Sequence, residues 1–254
     1  QADMPVSEPV TLSVSDVVRE IADVAGGSPA VPVGEGWATS LTGTLFHEIA
    51  AQLLRGEDHG SWQSVLDRDT AGDTGLLTRH VYQTLLGPKL LQHQAVLQSQ
   101  TRAVLSLWTA TQELCRMLSE LLSAGQARGL IRFSPEQLRW EGADSLFLTE
   151  TALEWVISKH GFRAPVRIRG VADAVWFHPV DQSWCVLELK TSRRSPEAEL
   201  SQACLYHRMI SATRPGAAER SAIALVYFRP ELEVVTFNAD QLRAAQSRLE
   251  ALAG

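Results

Sequence analysis

Hydrophobic residues recur at intervals of three and four through one long stretch of the chain, and this period is typical of amphipathic helices. The stretch begins near Gly75, and Pro88 is a plausible start for a second helix that reaches about Ala124. Gly129 follows, and glycine commonly ends helices. The pattern predicts a helical block over residues 75–129, whose apolar stripe is either part of the core or a surface for a partner.

Elsewhere, short runs rich in β-branched and aromatic residues predict strands. These runs cover residues 147–158, 167–177, 184–189, 222–228 and 231–237. The remaining segments are predicted as a loose arm (1–11), a short helix or turn (12–24), a loop (26–36), a helix from an N-cap at Thr42 to Gly56, a helix from Pro196 to about Ile210, and a terminal helix (240–253). This order predicts a single α/β domain over residues 1–254, with a mixed β-sheet flanked by helices.

Two of the predicted strands are separated by a segment of turn composition and can form a hairpin. If the hairpin is centred on Val180–Asp181, opposed residues have numbers that add to a constant, and Asp173 falls opposite Glu188. Directly opposed residues of antiparallel strands point to the same face, with Cβ atoms about 5 Å apart. Lys190 lies two residues beyond Glu188 and shares that face. The sequence therefore predicts two carboxylates and one ammonium group close together.

Two carboxylates at that separation repel each other unless one is protonated or a cation lies between them. A divalent cation with oxygen ligands is the usual arrangement. Such an ion lowers the pKa of a bound water, and a neighbouring lysine can orient that water. The alternative is an ordinary hairpin with charges on its solvent face. Asp173 and Glu188 lie inside apolar runs, where an unpaired charge is costly, and this favours a metal-dependent hydrolytic site.

The motifs around this group resemble those of the PD-(D/E)XK nuclease superfamily. The motifs, in order, are Gly43-x-x-x-His47, Gly170-x-x-Asp173, Glu188-x-Lys190 and Gln202-x-x-x-Tyr206. The most similar branch is that of the RecB-like and Cas4-like exonucleases, which carry an upstream histidine. The resemblance covers residues 12–206 and implies a restriction-endonuclease-like fold in which the helical block is an insertion.

The resemblance also implies roles for individual residues. The metal ligands, for Mg²⁺ or Mn²⁺, would be the side chains of His47, Asp173 and Glu188 and the backbone carbonyl of Leu189. Lys190 would position the attacking water. Gln202 and Tyr206, one helical turn apart, would help to hold a nucleic-acid strand. The alternatives are a hydrogen-bonded histidine on a core-forming helix and, for Gln202 and Tyr206, a partly buried helix face.

Three further charged residues are candidates for the site. Arg193 and Arg194 follow Lys190 in the loop that leads to the Gln202 helix, where they could contact phosphates or simply be solvated. Glu154 lies on the first predicted strand of the sheet and is a candidate accessory residue for metal or water binding. It shares an even spacing with Glu150, which predicts that both acids lie on one face.

Composition limits the alternatives. The net charge of −6 counts against a broad nucleic-acid surface, which is usually basic, but not against a narrow cleft. The three cysteines, Cys115, Cys185 and Cys204, are too few for the four-thiolate iron–sulfur cluster of many relatives, which predicts a cluster-free member. They form no disulfide framework, which indicates the cytoplasm.

The sequence contains no apolar stretch of about 20 residues, so it predicts no membrane span. The first residue is Gln, which is compatible with a fragment of a longer protein.

We therefore expect a metal-dependent deoxyribonuclease, an exonuclease that acts on single strands or ends. The alternative is a catalytically inactive subunit that keeps the fold and binds nucleic acid or a protein. The helical insertion is also compatible with protein partners, as in a helicase–nuclease, CRISPR-adaptation or phage-defence assembly.

Overall fold

The computed structural model describes eleven segments of the chain, which include all the predicted motif residues except Arg193 and Arg194. The described residues are 10–18, 35–55, 74–127, 132–134, 139–141, 147–157, 165–178, 183–191, 196–213, 221–228 and 232–252. The predicted loop at 26–36 lies outside these segments apart from its last two residues, which are helical.

Seven helices and eight strands are named within the described residues. The helices are α1 (Glu35–Arg55), α2 (Thr74–Val81), α3 (Gly87–Gln92), α4 (Gln94–Leu97), α5 (Thr101–Ala127), α6 (Pro196–Thr213) and α7 (Ala239–Leu252). The strands are β1 (Val10–Ser13), β2 (Arg132–Ser134), β3 (Arg139–Glu141), β4 (Phe147–Ile157), β5 (Val166–His178), β6 (Ser183–Lys190), β7 (Ser221–Tyr227) and β8 (Glu233–Phe237). Residues 14–18 form a further helical turn, and a π-helical turn, Tyr82–Leu86, joins α2 to α3.

Strand β5 organises a six-stranded mixed sheet because it has partners along both edges. One edge pairs antiparallel with β4 along most of its length. The other edge is shared: β1 pairs parallel with residues 166–169, and β6 pairs antiparallel with residues 174–178. Between these two partners the edge of β5 is open at residues 170–173. Beyond β6 the sheet continues with parallel β7 and antiparallel β8.

Helices cover both faces of this sheet. Helix α1 and the apolar side of the helical block pack against one face. The buried residues of α1 recur at spacings of three and four and include Leu45, Phe46, Ile49 and Leu53. Helices α6 and α7 pack on the other face. This architecture confirms the predicted α/β class with a mixed sheet between helical layers. None of the described helices is both long and apolar enough to cross a bilayer.

Several predicted boundaries are wrong. Thr42 is not an N-cap, because α1 begins seven residues earlier at Glu35 and Thr42 is buried within it. Leu12 belongs to strand β1 instead of a helix, because pairing with β5 overrides the local preference. The segment after Pro88 is divided at His93 and again at residues 98–100 instead of forming one long helix. The small β2–β3 hairpin was not predicted.

The helical block carries an open apolar groove of about 640 Å³ between α3, α4 and α5. Leu91 and Leu105 line it and are 72% and 58% exposed. Tyr82 also lines it, with its ring edge-on to Trp108.

Candidate active site

The predicted register of the β5–β6 hairpin is confirmed. Ala174 pairs with Leu187 and His178 with Ser183, so the numbers of opposed residues have the same sum that a turn centred on Val180–Asp181 requires. Continuing that register by one rung places Asp173 opposite Glu188. The turn itself, residues 179–182, lies outside the described segments.

At Asp173 the regular backbone hydrogen bonding between β5 and β6 ends, and the Asp173 side chain takes over as the acceptor for β6. Asp173 Oδ2 accepts a hydrogen bond from the Leu189 N–H at 2.8 Å. Its other oxygen, Oδ1, lies 3.1 Å from His47 Nδ1 on α1. The Asp173 carboxylate therefore joins β5, β6 and α1, and it holds the predicted histidine beside it.

Glu188 is the most buried acid of the group, with a side chain only 4% exposed. Its Oε2 accepts hydrogen bonds from Lys190 Nζ at 2.9 Å and from Gln202 Nε2 at 2.8 Å. Lys190 therefore lies on the same side of β6 as Glu188, as the strand alternation predicts. Gln202 contacts Glu188 directly from α6, a contact that the sequence did not reveal.

The electrostatics of Glu188 are dominated by its burial. Burial raises the pKa of its carboxyl group, Lys190 opposes that rise, and the negative charge of Asp173 adds to it. The net direction is upward, so the folded protein holds the charged form of Glu188 at a cost. A further positive charge beside these two acids would lower that cost.

Tyr206 closes the opening in the sheet edge between β1 and β6. Its hydroxyl group donates a hydrogen bond to the Val171 carbonyl at 3.0 Å. Burial, followed by the charges of Glu188 and Asp173, raises the pKa of Tyr206, so its hydroxyl stays a neutral donor. Gly170 makes room for this contact, since a Cβ there would lie 2.7 Å from Val14 Cγ2 and 3.1 Å from Tyr206 Cε1.

We expect Gly170→Ala to lower the free energy of unfolding by about 1–3 kcal/mol, the usual cost of forcing extra volume into a packed site. Displacement of Tyr206 from the Val171 carbonyl should accompany the loss. Chemical denaturation measures the first effect and the tyrosine ring signals in NMR the second.

Gly43→Ala is the matched control. Among the described residues, a Cβ at Gly43 would meet only Thr191 Oγ1, at 3.8 Å, and Gly43 is inside α1. Alanine there should stabilise the protein by about 0.5–1 kcal/mol, because glycine is a poor helix former. Equal effects of the two substitutions would contradict a special packing role for Gly170.

The donor set suits a hard divalent cation. Two buried acceptor atoms, Glu188 Oε1 and Gln202 Oε1, have no hydrogen-bond partner among the described residues. With the Asp173 carboxylate beside them, they form an oxygen-rich environment of the kind that Mg²⁺ and Mn²⁺ prefer. Within the described segments, however, no three His, Cys, Asp or Glu side chains are already arranged around one point. His47 faces Asp173, whereas Glu188 is held by Lys190 and Gln202.

The other predicted site residues have different surroundings. Glu154 binds arginines through both of its oxygens, Arg167 Nε at 3.3 Å and Arg169 Nε at 2.9 Å. This places it in an ion-pair network and gives it no contact that indicates a metal. Leu189 contributes its N–H to Asp173, and its side chain is in the core. Arg193 and Arg194 lie outside the described residues.

Besides the Gln202–Glu188 contact, sequence reasoning missed the backbone conformation of Glu150 at the site. Glu150, on β4, has a positive φ of 47° and forms an ion pair with Arg55 of α1 at 3.2 Å. No local signal marked it, because glutamate has no special preference for left-handed backbone, unlike Asn or Asp.

The match to a family model agrees with this architecture. A match to the PD-(D/E)XK nuclease superfamily extends over residues 24–254, so the chain belongs to that superfamily. Its members are generally nucleases that use divalent metals such as Mg²⁺ and act on nucleic acid. No curated protein matches the chain. Among solved structures, the alignment with the crystal structure of SSO0001 covers 97% of this chain and 78% of the SSO0001 chain, at 15% sequence identity and a TM-score of 0.31.

Proposed function

We propose that the chain is a divalent-metal-dependent nuclease that hydrolyses DNA phosphodiester bonds, with Asp173, Glu188 and Lys190 as the catalytic group. The observation that carries this is the Glu188 carboxylate. It is buried beside a second acid, bonded to a lysine, and has one oxygen without a partner among the described residues. Burying a charge in this way is costly, and a catalytic metal site provides a reason for it.

In this proposal each residue has a separate task. The ligands would be His47, Asp173, Glu188 and the Leu189 carbonyl. When bound, Mg²⁺ or Mn²⁺ neutralises phosphate charge and makes a water more acidic. Lys190, already directed at Glu188, would hold that water and stabilise the negative charge that develops during attack. Gln202 keeps Glu188 in place, and Tyr206 fixes the backbone of β5 two residues before Asp173.

The position of the helical block supports action on single strands or ends. Lys89 of α3 forms an ion pair with Glu48, the residue that follows His47 on α1. The block therefore packs beside the helix that carries a candidate ligand, and it would narrow access from that side. A narrow entrance favours an exonuclease over an enzyme that encloses a duplex.

Cellular context forms a further part of the proposal. Cys115, Cys185 and Cys204 all lie in the described segments and form no disulfide there, which suits a reducing cytoplasm. The exposed leucines of the groove in the helical block would suit a protein partner, as in a helicase–nuclease, CRISPR-adaptation or phage-defence assembly.

The test is cleavage of end-labelled single- and double-stranded DNA, with Mg²⁺ or Mn²⁺ and with a chelator. We expect metal-dependent degradation by the wild type. Asp173→Asn should lower the rate by more than about 100-fold, because it weakens a direct ligand and not merely an outer partner of one. Asp240→Asn, an exposed aspartate on α7, is the control and should cleave normally. Wild-type rates in Asp173→Asn would refute the assignment.

A further inference from the structure

Strand β4 contains one residue with a left-handed backbone, Glu150, at a φ of 47°. Within the described segments no other non-glycine residue has a positive φ. This conformation is uncommon for residues with a Cβ, and it persists only where the surroundings impose it. Such positions cluster at functional sites, so the place of Glu150 in the sheet is informative.

Glu150 lies directly across from Asp173. The rungs on either side pair Thr149 with Ala174 and Thr151 with Ala172. The register is the same before and after this rung, so neither strand has the additional residue of a β-bulge. The rung that would join Glu150 to Asp173 is itself absent from the ladder.

The alternation of β5 side chains between the two faces of the sheet is interrupted at this rung. Ile168 and Ala172 belong to the core on the α6 side of the sheet, as strand alternation requires. Two residues further on, Ala174 belongs to the core on the α1 side, and Val175 now packs on the α6 side. The change of face falls between Ala172 and Ala174, at Asp173.

This exchange explains the direction of the Asp173 side chain. In a regular strand its carboxylate would stand above one face of the sheet. Instead it reaches along the sheet to the Leu189 N–H, where a backbone acceptor of β5 would otherwise be, and it also reaches His47. Strand β5 can exchange its two faces and remain paired with β4 only if β4 also exchanges its faces at the same rung. The left-handed backbone of Glu150 allows β4 to do so.

We propose that Glu150 is a positioning residue whose backbone conformation directs the Asp173 carboxylate to Leu189 and His47. Its side chain is not the acting group. The Glu150 carboxylate is 59% exposed and pairs with Arg55, itself 40% exposed. The relevance to catalysis rests on the function proposed above, but the geometry can be tested without it.

Two substitutions separate backbone from side chain. Glycine adopts left-handed conformations freely, so Glu150→Gly should keep the geometry of the site and should not lower the thermal midpoint. A β-branched residue resists positive φ, so Glu150→Val should displace Asp173. We expect Glu150→Val to raise the hydrogen-exchange rate of the Leu189 amide and to weaken Mn²⁺ binding, each by about tenfold or more, whereas Glu150→Gly leaves both unchanged.

The same pair of substitutions at Glu233 is the control. Glu233 is an exposed glutamate on β8 that is not left-handed. There, valine should be tolerated and glycine should lower the thermal midpoint, the opposite order from that at Glu150.

Two results would overturn the proposal: equal losses in Glu150→Gly and Glu150→Val, which would assign the effect to the carboxylate, or a Leu189 amide that exchanges normally in Glu150→Val. The amide is measured by NMR without metal or DNA. A wild type that neither binds Mn²⁺ nor cleaves would therefore defeat the proposed nuclease while leaving this test decisive.

Discussion

Replacing Glu188 by glutamine is expected to abolish cleavage and, at neutral pH, to make the protein more stable. Burial raises the pKa of Glu188 despite the nearby lysine, so the folded state favours the neutral form. Glutamine resembles that neutral form and adds N–H donors near Gln202 Oε1, an acceptor that lacks a partner among the described residues. The rate of cleavage should fall by more than about 100-fold, because in the proposed mechanism Glu188 is a direct metal ligand and glutamine would bind the metal more weakly.

The stability gain should depend on pH in a defined direction. Because the folded-state pKa of Glu188 is raised, its contribution to stability is fully present below the unfolded pKa and is lost as pH rises through the folded pKa. Glu188→Gln has no such loss, so its advantage over the wild type should be small in mild acid and grow with pH. Each unit by which the folded-state pKa exceeds the unfolded pKa corresponds to about 1.4 kcal/mol in the free energy of unfolding. Chemical denaturation across this pH range measures it.

The response to Mn²⁺ is a second test of the same variant. A ligand that binds only the folded state raises stability by mass action. Mn²⁺ should therefore raise the thermal midpoint of the wild type and have little effect on Glu188→Gln. Glu233 is an exposed glutamate on β8, and Glu233→Gln should respond to Mn²⁺ as the wild type does. A Glu188→Gln protein that is less stable than the wild type at every pH would contradict the idea that the charge is held at a cost.

Removing the ammonium group of Lys190 should have the largest combined effect. Its side chain is 14% exposed and that of Glu188 is 4% exposed, so Lys190→Met leaves a buried carboxylate without its cation. Breaking a buried pair in this way typically costs about 3–5 kcal/mol. Cleavage should fall by about 10²–10³-fold, the usual effect of removing one group that stabilises charge in the transition state.

A second substitution separates the two effects. Adding Glu188→Gln to Lys190→Met should recover most of the lost stability, because the buried charge is gone, but none of the activity. Lys89→Met is the control for stability: its partner Glu48 is 48% exposed, so the loss should be at most about 1 kcal/mol. Additive effects of the two substitutions in the double variant would show that Lys190 and Glu188 do not interact energetically.

These expectations describe a site that sacrifices stability for chemistry. Glu188 is buried at a cost, and Glu150 is held in an unfavourable backbone conformation. Both features lie within one rung of Asp173. Natural proteins commonly concentrate such strain where function requires it, and the rest of the fold compensates.

Much of the site followed from short-range rules. The register of the β5–β6 hairpin came from the position of its turn, and the shared side of Glu188 and Lys190 came from strand alternation. Gln202 and Tyr206 lie on one side of α6 because they are one helical turn apart. Boundaries were less predictable: Leu12 is in a strand only because β5 is beside it, and α1 extends well before Thr42.

The sequence by itself determined which residues are candidates for the chemistry and how those close along the chain are spaced, because helix and strand periods are local properties. Only the tertiary structure decided how β1 and β6 divide one edge of β5, why Tyr206 bonds the Val171 carbonyl in the opening between them, and where β4 and β5 turn together. These features arise from contacts between segments far apart in the chain. The direction of the Asp173 carboxylate depends on the backbone of Glu150 across the sheet, and no pattern around Asp173 records it.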